Sequence, residues 1–409
     1  MSILAIDLGS SKTLVVLAEP ETGAGAKVMA IGEAPSSGVR RGLVADIEQA
    51  AASITAALRK AKQMAEGLDG EVLLSVSGEH IQGHSSKGIV PIVPTGRTIT
   101  RDDVKRVVNH SKQIALPADR TLIHAIAKSF RVDGQDGVTR PQGMSGERLE
   151  VSTHLVTGQT THIHNMERAF QRANLDIEDL CVSALASGLA IVSEDEKRSG
   201  VAVIDIGAGV TDVGVFVDGA IAYTCVLPVG GHHVSSDISQ LLKTTLDEAE
   251  SLKVDHGSVL PETISEDETV VVKQVGTIGA RGFSKRILSE IIRARANEVL
   301  RLAKLRIEEA GLLGRILSGV LLTGGGAKLK GLPALASEAF DGAEARLASP
   351  TPLGLLGDML NGPEHSTAVG LVRYAIQLHD QQVQAPQTGD GKGIFDKLRT
   401  LLGTSRSQH

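Results

Sequence analysis

A chain of 409 residues with 42% hydrophobic and 22% charged side chains has the make-up of a globular protein that buries a large core in two or three domains. Its net charge of −6 and aromatic content of 2% argue against a nucleic-acid binder, which needs basic surface and rings for stacking. Cys181 and Cys225 form neither a disulfide framework nor a zinc spacing, Asp7 breaks the opening apolar stretch as no signal peptide would, and no uncharged apolar run nears the roughly 18 residues of a membrane span, so a cytoplasmic protein is expected that meets a membrane, if at all, on its surface.

In chain order, SILAI reads as a buried strand, DLGSSKT as a tight turn and LVVLA as the returning strand of a hairpin. A helix is predicted from about Ile47 to Glu66, with Asp46 as N-cap, Gly67 as stop, and Ile47, Ile54, Leu58 and Ala61 on one face. From about Glu71 to Gly158 the texture changes. EVLLSVSG and LEVSTHLVTG predict strands, Thr100 with Asp103 makes a capping box for a helix to about Ala115, and VDGQDGVTRPQGMSG is a loop, together a small α+β insertion. HNMERAFQRANLDIEDLCVSALASGLAIVS predicts helix, short strand, helix, and the charged SEDEKRSG a solvated turn. GVAVIDIGAGVTDVGVFV, from Gly200 to Val217, then repeats the opening hairpin. LPVGGHHVSSDISQLL leads from a turn into a helix, and RILSEIIRARANEVLRLAKLRIEEAG is a long amphipathic helix stopped by Gly311. GVLLTGGGAKLKGLPALA reads as strand, glycine turn and helix, and STAVGLVRYAIQ as the last helix of the body. DQQVQAPQTGDGK, residues 380–392, has linker composition. In the tail 393–409, Ile394, Phe395, Leu398, Leu401 and Leu402 fall on one helical face, with Lys397 and Arg399 on the other. Such a segment is too short to hold a helix in water, but a bilayer surface would fold it and anionic lipid would attract its basic side chains.

The repeat carries the chemistry. A strand–Asp–x–Gly–small–small turn sets a carboxylate and several backbone N–H groups at a hairpin tip, and glycine lets an anion approach the backbone. Two such tips would grip a polyphosphate from both sides, with Asp7 and Asp205 suited to Mg²⁺ through its water shell. There is no P-loop, and GGG at Gly324–Gly326 lacks the dinucleotide spacing. His80 and His84, His162 and His164, and His232 and His233 have no metal-binding pattern and read as structural or surface residues. Arg293, Arg295 and Arg301 would suit an acidic partner peptide or plain solvated helix polarity.

The hairpin pair with LLTGGGAKLKGL downstream resembles the actin-like ATPase superfamily of actin, heat-shock chaperones and sugar kinases. That resemblance implies an α/β fold of duplicated, ribonuclease H-like domains. It places Asp7, Gly9, Ser10, Ser11, Lys12 and Thr13 on a first phosphate loop. Asp205, Gly207, Ala208, Gly209, Thr211 and Asp212 fall on a second, and Gly324, Gly325, Gly326 and Lys328 on an adenosine turn. EAESLK matches the family's E-x-x-K and puts Glu250 and Lys253 near the ribose, although a solvated ion pair is the plainer reading of those two residues. SGEHIQGHSSKGIVPI, SEDEKRSGVAVIDIGAGVTD, LPVGGHHVSSDIS, DEAESLKVDHG and STAVGLVRYA narrow the match to the FtsA family of bacterial cell-division proteins, from Ile3 to about Ile376. The resemblance implies four subdomains. Residues 1–70, 159–195 and 361–379 form the first large one. Residues 71–158 form an inserted filament-contact subdomain, 196–235 and 311–360 the second large one, and 236–310 a small one facing the tail of the tubulin-like FtsZ. It further implies ATP and Mg²⁺ as ligands. The partners it implies are FtsZ, other divisome proteins, a second copy of the chain and anionic inner-membrane lipid at the division site. Actin-like hydrolases carry Gln or Glu near the position of Ser183; a hydroxyl is a poor general base. Slow hydrolysis is therefore expected, with Asp205 and Asp212 left to position cation and water. A pilus-assembly adaptor and a small-molecule kinase of the same fold are the rival readings.

Overall fold

The computed structural model describes residues 2–383 apart from 22–24, 66, 114–115 and 277–279. The expected membrane-facing tail, Ile394 to Leu402, and most of the linker lie outside the described residues.

Two five-stranded sheets share one topology. In the first, Ile3–Leu8 pairs antiparallel with Lys12–Glu21, which pairs antiparallel with Gly25–Pro35, while Glu71–Val76 and Asp179–Val182 extend the other edge in parallel. In the second, Val201–Ile206, Thr211–Val217 and Ala220–Leu227 form the antiparallel side, and Val320–Thr323 and Ala345–Leu347 the parallel side. The central strands ILAIDL and VAVIDI are buried along almost their whole length, as expected of strands covered on both faces. One hydrophobic core packs on the first sheet and on the face of the second that carries Val201, Val203 and Phe216, and another packs on the opposite face of the second, with Ala202, Ile204 and Val215.

The short helix Ser183–Ile191 lies between the lobes and is buried at every residue. Glycines let it sit there. A Cβ on Gly370 of the last helix, Ser366–Val383, would fall 1.7 Å from the Ala186 carbonyl oxygen. A Cβ on Gly188 would fall 2.1 Å from Phe216 of the second lobe. The insertion has a four-stranded antiparallel sheet and a core of its own around Ile92, Ile99, Val107 and Leu149. Its helix Arg101–Ser111 begins with the expected capping box of Thr100 and Asp103.

Several expectations change: the helix begun at Ile47 ends at Ala61 with Lys62 as C-cap, short of Glu66 and Gly67, and the loop VDGQDGVTRPQGMSG holds the strand Gln135–Val138. The strand Glu71–Val76 belongs to the first sheet, between Ile3–Leu8 and Asp179–Val182, so the insertion departs after it and not at residue 71. SEDEKRSG is no turn: Ser193 and Glu196 form a capping box that starts the helix Glu194–Ser199. The last helix runs to Val383, past the Asp380 where the linker was placed. Arg293 and Arg295 pair with Glu338 and Asp237, which accounts for part of the basic helix face.

The helix contacts give a stability prediction. Gly370→Ala should destabilise the chain by at least about 3 kcal/mol, because a backbone carbonyl cannot yield to the added methyl. Gly188→Ala should cost less, since the added methyl meets a side chain, Phe216, which can tilt about its χ1 bond, and not backbone. Urea unfolding of the two variants checks the order.

Candidate functional site

The two hairpins end in the same turn. In the first, Asp7 opposes Leu14, Leu8 opposes Thr13, and Gly9 N–H donates to the Lys12 carbonyl at 3.0 Å. In the second, Asp205 opposes Asp212, Ile206 opposes Thr211, and Gly207 N–H donates to the Val210 carbonyl at 3.0 Å. Asp7 thus matches Asp205, and Thr13 matches Thr211. The tips touch: a Cβ on Gly209 would lie 2.6 Å from Ser10 Oγ. A small hairpin, Val39–Arg40 with Leu43–Val44, straps the junction, its Gly42 N–H donating to Ser10 Oγ at 3.2 Å.

Between the lobes opens a cavity of ≈ 480 Å³. Every residue predicted from the loops, the adenosine turn and the E-x-x-K lines it, except Thr13 and Thr211. Those two point into the fold and brace the loops from behind. Thr211 Oγ1 donates to the Val229 carbonyl at 2.8 Å, and Thr13 Oγ1 bonds Ser36 Oγ at 3.0 Å. Glu250 and Lys253 form an ion pair at 2.7 Å, and Lys253 also donates to the Gly231 carbonyl at 3.1 Å. The pair ties its own helix, Leu246–His256, to the start of the helix Gly231–Leu242. That start rests on the second loop, Gly231 N–H donating to the Gly207 carbonyl at 2.9 Å.

Three aspartates line the cavity, and the groups that hold them are hydroxyls. Ser75 donates to Asp7 at 2.6 Å, Ser77 donates to Asp212 at 2.7 Å, and both Ser187 and Thr367 donate to Asp205, the latter at 3.0 Å. Burial raises the Asp7 carboxyl above its ordinary range. Burial, with Asp7 adding to it, pushes Asp205 up to about 6. Burial and the nearby Asp205 charge raise Asp212 well above the usual carboxylate range. The lysines at the rim are engaged elsewhere: Lys12 with Glu33 at 2.8 Å and Lys328 with Glu364 at 2.9 Å. Ser183 also lines the cavity, and its Oγ donates to the Val76 carbonyl at 3.3 Å.

Ser75, Ser77, Ser187, Thr367 and Glu364 were not expected from the sequence. One signal was available for Ser75 and Ser77: both lie at the carboxyl end of a parallel strand, and ligands of open α/β sheets bind outside those ends.

The residues present fit a cation–phosphate ligand. Buried acids that repel one another, with hydroxyls for partners, are poised for a positive charge. Glu364 Oε2 is buried and has no hydrogen-bond partner. Among the described residues no group of three His, Cys, Asp or Glu side chains can hold a metal ion alone. A cation here would take further oxygens from phosphate and water, which is the habit of Mg²⁺.

Family models match residues 202–370 to cell division protein FtsA and residues 78–157 to the SHS2 domain inserted in FtsA. The chain is 35% identical to cell division protein FtsA of Pseudomonas aeruginosa, over 92% of this chain and 89% of that one. It is 34% identical to that of Bacillus subtilis, over 91% and 83%, and 32% identical to that of Escherichia coli K12, over 92% and 91%. Among solved structures, a PilM–PilN type IV pilus biogenesis complex superimposes with a TM-score of 0.65 at 18% identity, covering 92% of this chain and 99% of that one. MreB5 of Spiroplasma citri bound to ADP gives 0.58 at 14%, covering 94% and 99%. These likenesses establish the actin-like fold.

The acid cluster sets a pH dependence. A carboxyl raised to about 6 binds more protons in the folded than in the unfolded state, so its contribution to stability falls as pH rises from about 4 to 6. Asp205→Asn should therefore stabilise the ligand-free chain at pH 7.5, by about 1–3 kcal/mol, and leave it nearly unchanged at pH 4. Urea midpoints at both pH values check this; equal shifts at both contradict it.

Proposed function

The chain belongs to the FtsA family of cell-division proteins, and from that premise we propose that it binds ATP with Mg²⁺ in the interlobe cavity, assembles into filaments on the inner membrane and anchors FtsZ there. The meeting of two matched Asp–x–Gly turns over one acid-lined cavity carries the nucleotide reading.

The glycine-bearing turns at Gly9 and Gly207 would take the phosphates through backbone N–H groups, and the turn Gly324–Gly326 with Lys328 the adenosine. Glu250 and Lys253 would bound the ribose side. Asp7 and Asp205 would hold Mg²⁺ through water; when bound, the cation supplies charge neutralisation for both the acids and the phosphates. Asp212, held by Ser77, would orient a water, and Asp205 is the other candidate for that role. With the Ser183 hydroxyl donated to a backbone carbonyl, that position offers no general base, and the reading is a tightly held, slowly hydrolysed nucleotide that acts as a conformational ligand.

The domain assignment is proposed with it: the insertion for filament contact, residues 236–310 for the FtsZ tail, and 393–409 for anionic lipid. Single tails would bind weakly, and a filament would add them by avidity. No described helix is long and apolar enough to cross a membrane. The pilus-adaptor and kinase readings have less support, since an 18%-identical neighbour carries fold alone.

Titration of the full chain with a fluorescent ATP analogue tests the nucleotide reading. Wild type should bind in a Mg²⁺-dependent way, and Asp7→Ala with Asp205→Ala should weaken binding by about a hundredfold or more; absence of wild-type binding would refute it. Removal of 393–409 should abolish sedimentation with anionic liposomes while nucleotide binding persists, and undiminished sedimentation would refute the anchor.

A further inference from the structure

The first-lobe strand Glu71–Val76 ends at the cavity, and the matched insertion begins at residue 78. Ser77 is the single residue between them. Its hydroxyl crosses to the other lobe and donates to Asp212 Oδ1 at 2.7 Å. The next residue, Gly78, has φ +120 and lies against the strap hairpin: a Cβ on Gly42 would come within 2.9 Å of Gly78 N. That strap in turn holds Ser10 of the first loop. The root of the insertion is thus fastened to both sides of the cavity.

Farther out, the insertion docks on the second lobe. His154 Nε2 bonds Thr224 Oγ1 at 3.0 Å, with His154 1% and Thr224 2% exposed. A Cβ on Gly83 would fall 2.9 Å from the Thr224 carbonyl oxygen, so backbone lies directly on backbone there. Thr224 opposes Gly214, and Asp212 opposes Val226, on the same strand pair of the second lobe. The cavity acid and the docking residue therefore stand two residues apart in one ladder.

We propose that Ser77 is a positioning residue that orients Asp212 and, through that bond, makes the seat of the insertion on the second lobe depend on what occupies the cavity. The proposal rests on the cavity being the nucleotide–cation site. A ligand that engages Asp212 turns its carboxylate toward the cavity centre and away from Ser77. The hydroxyl is released, the root loses its tie to the second lobe while Gly78 keeps its packing on the strap hairpin, and the insertion is held to that lobe by its outer contacts around Thr224. The alternative, that Ser77 merely caps a buried acid, predicts no such transmission.

Hydrogen exchange of the full chain, without ligand and saturated with Mg²⁺ and a non-hydrolysable ATP analogue, separates the two. In wild type the ligand should speed exchange in the strands Gln82–Pro91 and Ala220–Leu227 by about fivefold, the factor expected from loss of one hydrogen bond. Ser77→Ala should exchange fast there in both states, Asp212→Ala, which removes the acceptor, should do the same, and the double variant should add nothing further. Ser77→Thr, which keeps the hydroxyl, should restore the ligand response. A ligand response in Ser77→Ala equal to that of wild type overturns the proposal, as does a wild-type chain that binds the analogue yet shows no change in these strands. A wild-type chain that fails to bind the analogue removes the nucleotide reading, and this proposal with it.

Discussion

Asp7, Asp205 and Asp212 face one another across a buried cavity, and the rest of the molecule is arranged around that repulsion. Buried like charges cannot all ionise unless something positive joins them. Proteins often solve this with an Arg or Lys in direct contact. Here the groups that hold the acids are the hydroxyls of Ser75, Ser77, Ser187 and Thr367. Hydroxyls satisfy the hydrogen-bonding needs of the acids without neutralising them. The lysines at the rim are drawn aside by Glu33 and Glu364. A built-in ion pair would have discharged the site permanently and left nothing for a ligand to stabilise. As arranged, a ligand that brings a cation is favoured most in the state where the lobes hold all three acids together.

The duplicated sheets show how one strand pattern serves two ends. The strand of Asp7 runs beside Glu71–Val76, and that of Asp205 beside Val320–Thr323, both in parallel pairing. The two neighbouring strands lead into different segments. Val320–Thr323 passes into the turn of Gly324, where a Cβ would strike Asp205 at 2.3 Å, so the chain closes tightly over the acid. Glu71–Val76 passes into Ser77 and then the insertion. The hairpins diverge too: the position that is Leu14 in the first lobe is Asp212 in the second. The extra acid and the extra subdomain meet at one bond, Ser77 to Asp212. A symmetric pair of loops would cradle phosphate equally well; the asymmetry gives the insertion a connection to the cavity.

The site's backbone was legible in the sequence, whereas its polar braces were hidden. The Asp–x–Gly turns, the glycine turn at Gly324 and the caps at Asp46 and Thr100 are local signals, set by residues a few positions apart. The hydroxyls that hold the acids have partners far along the chain: 68 residues for Ser75 and Asp7, 135 for Ser77 and Asp212, and 162 for Thr367 and Asp205. A lone Ser in an apolar strand has no spacing that announces such a partner. The insertion boundary was hidden for a related reason. EVLLSV is almost wholly buried between two strands and carries no change of polarity where one subdomain gives way to the next. SEDEKRSG, by contrast, held a readable start signal in Ser193 and Glu196; its density of charge masked a capping box.

The helix Ser183–Ile191 couples the acid cluster to the packing of the lobes. Its Ser183 lines the cavity, its Ser187 holds Asp205, and its Gly188 admits Phe216 of the second lobe. One short helix, buried throughout, therefore touches the cavity, an acid and the opposite lobe at once. Such an element is poorly placed to supply a mobile base, because its hydroxyls are already committed to hydrogen bonds and its apolar side chains to packing. It is well placed to register whether the lobes are closed. On the proposed reading, a cavity built on it would favour holding a ligand over transforming it, the binding free energy going into setting the position of one lobe against the other.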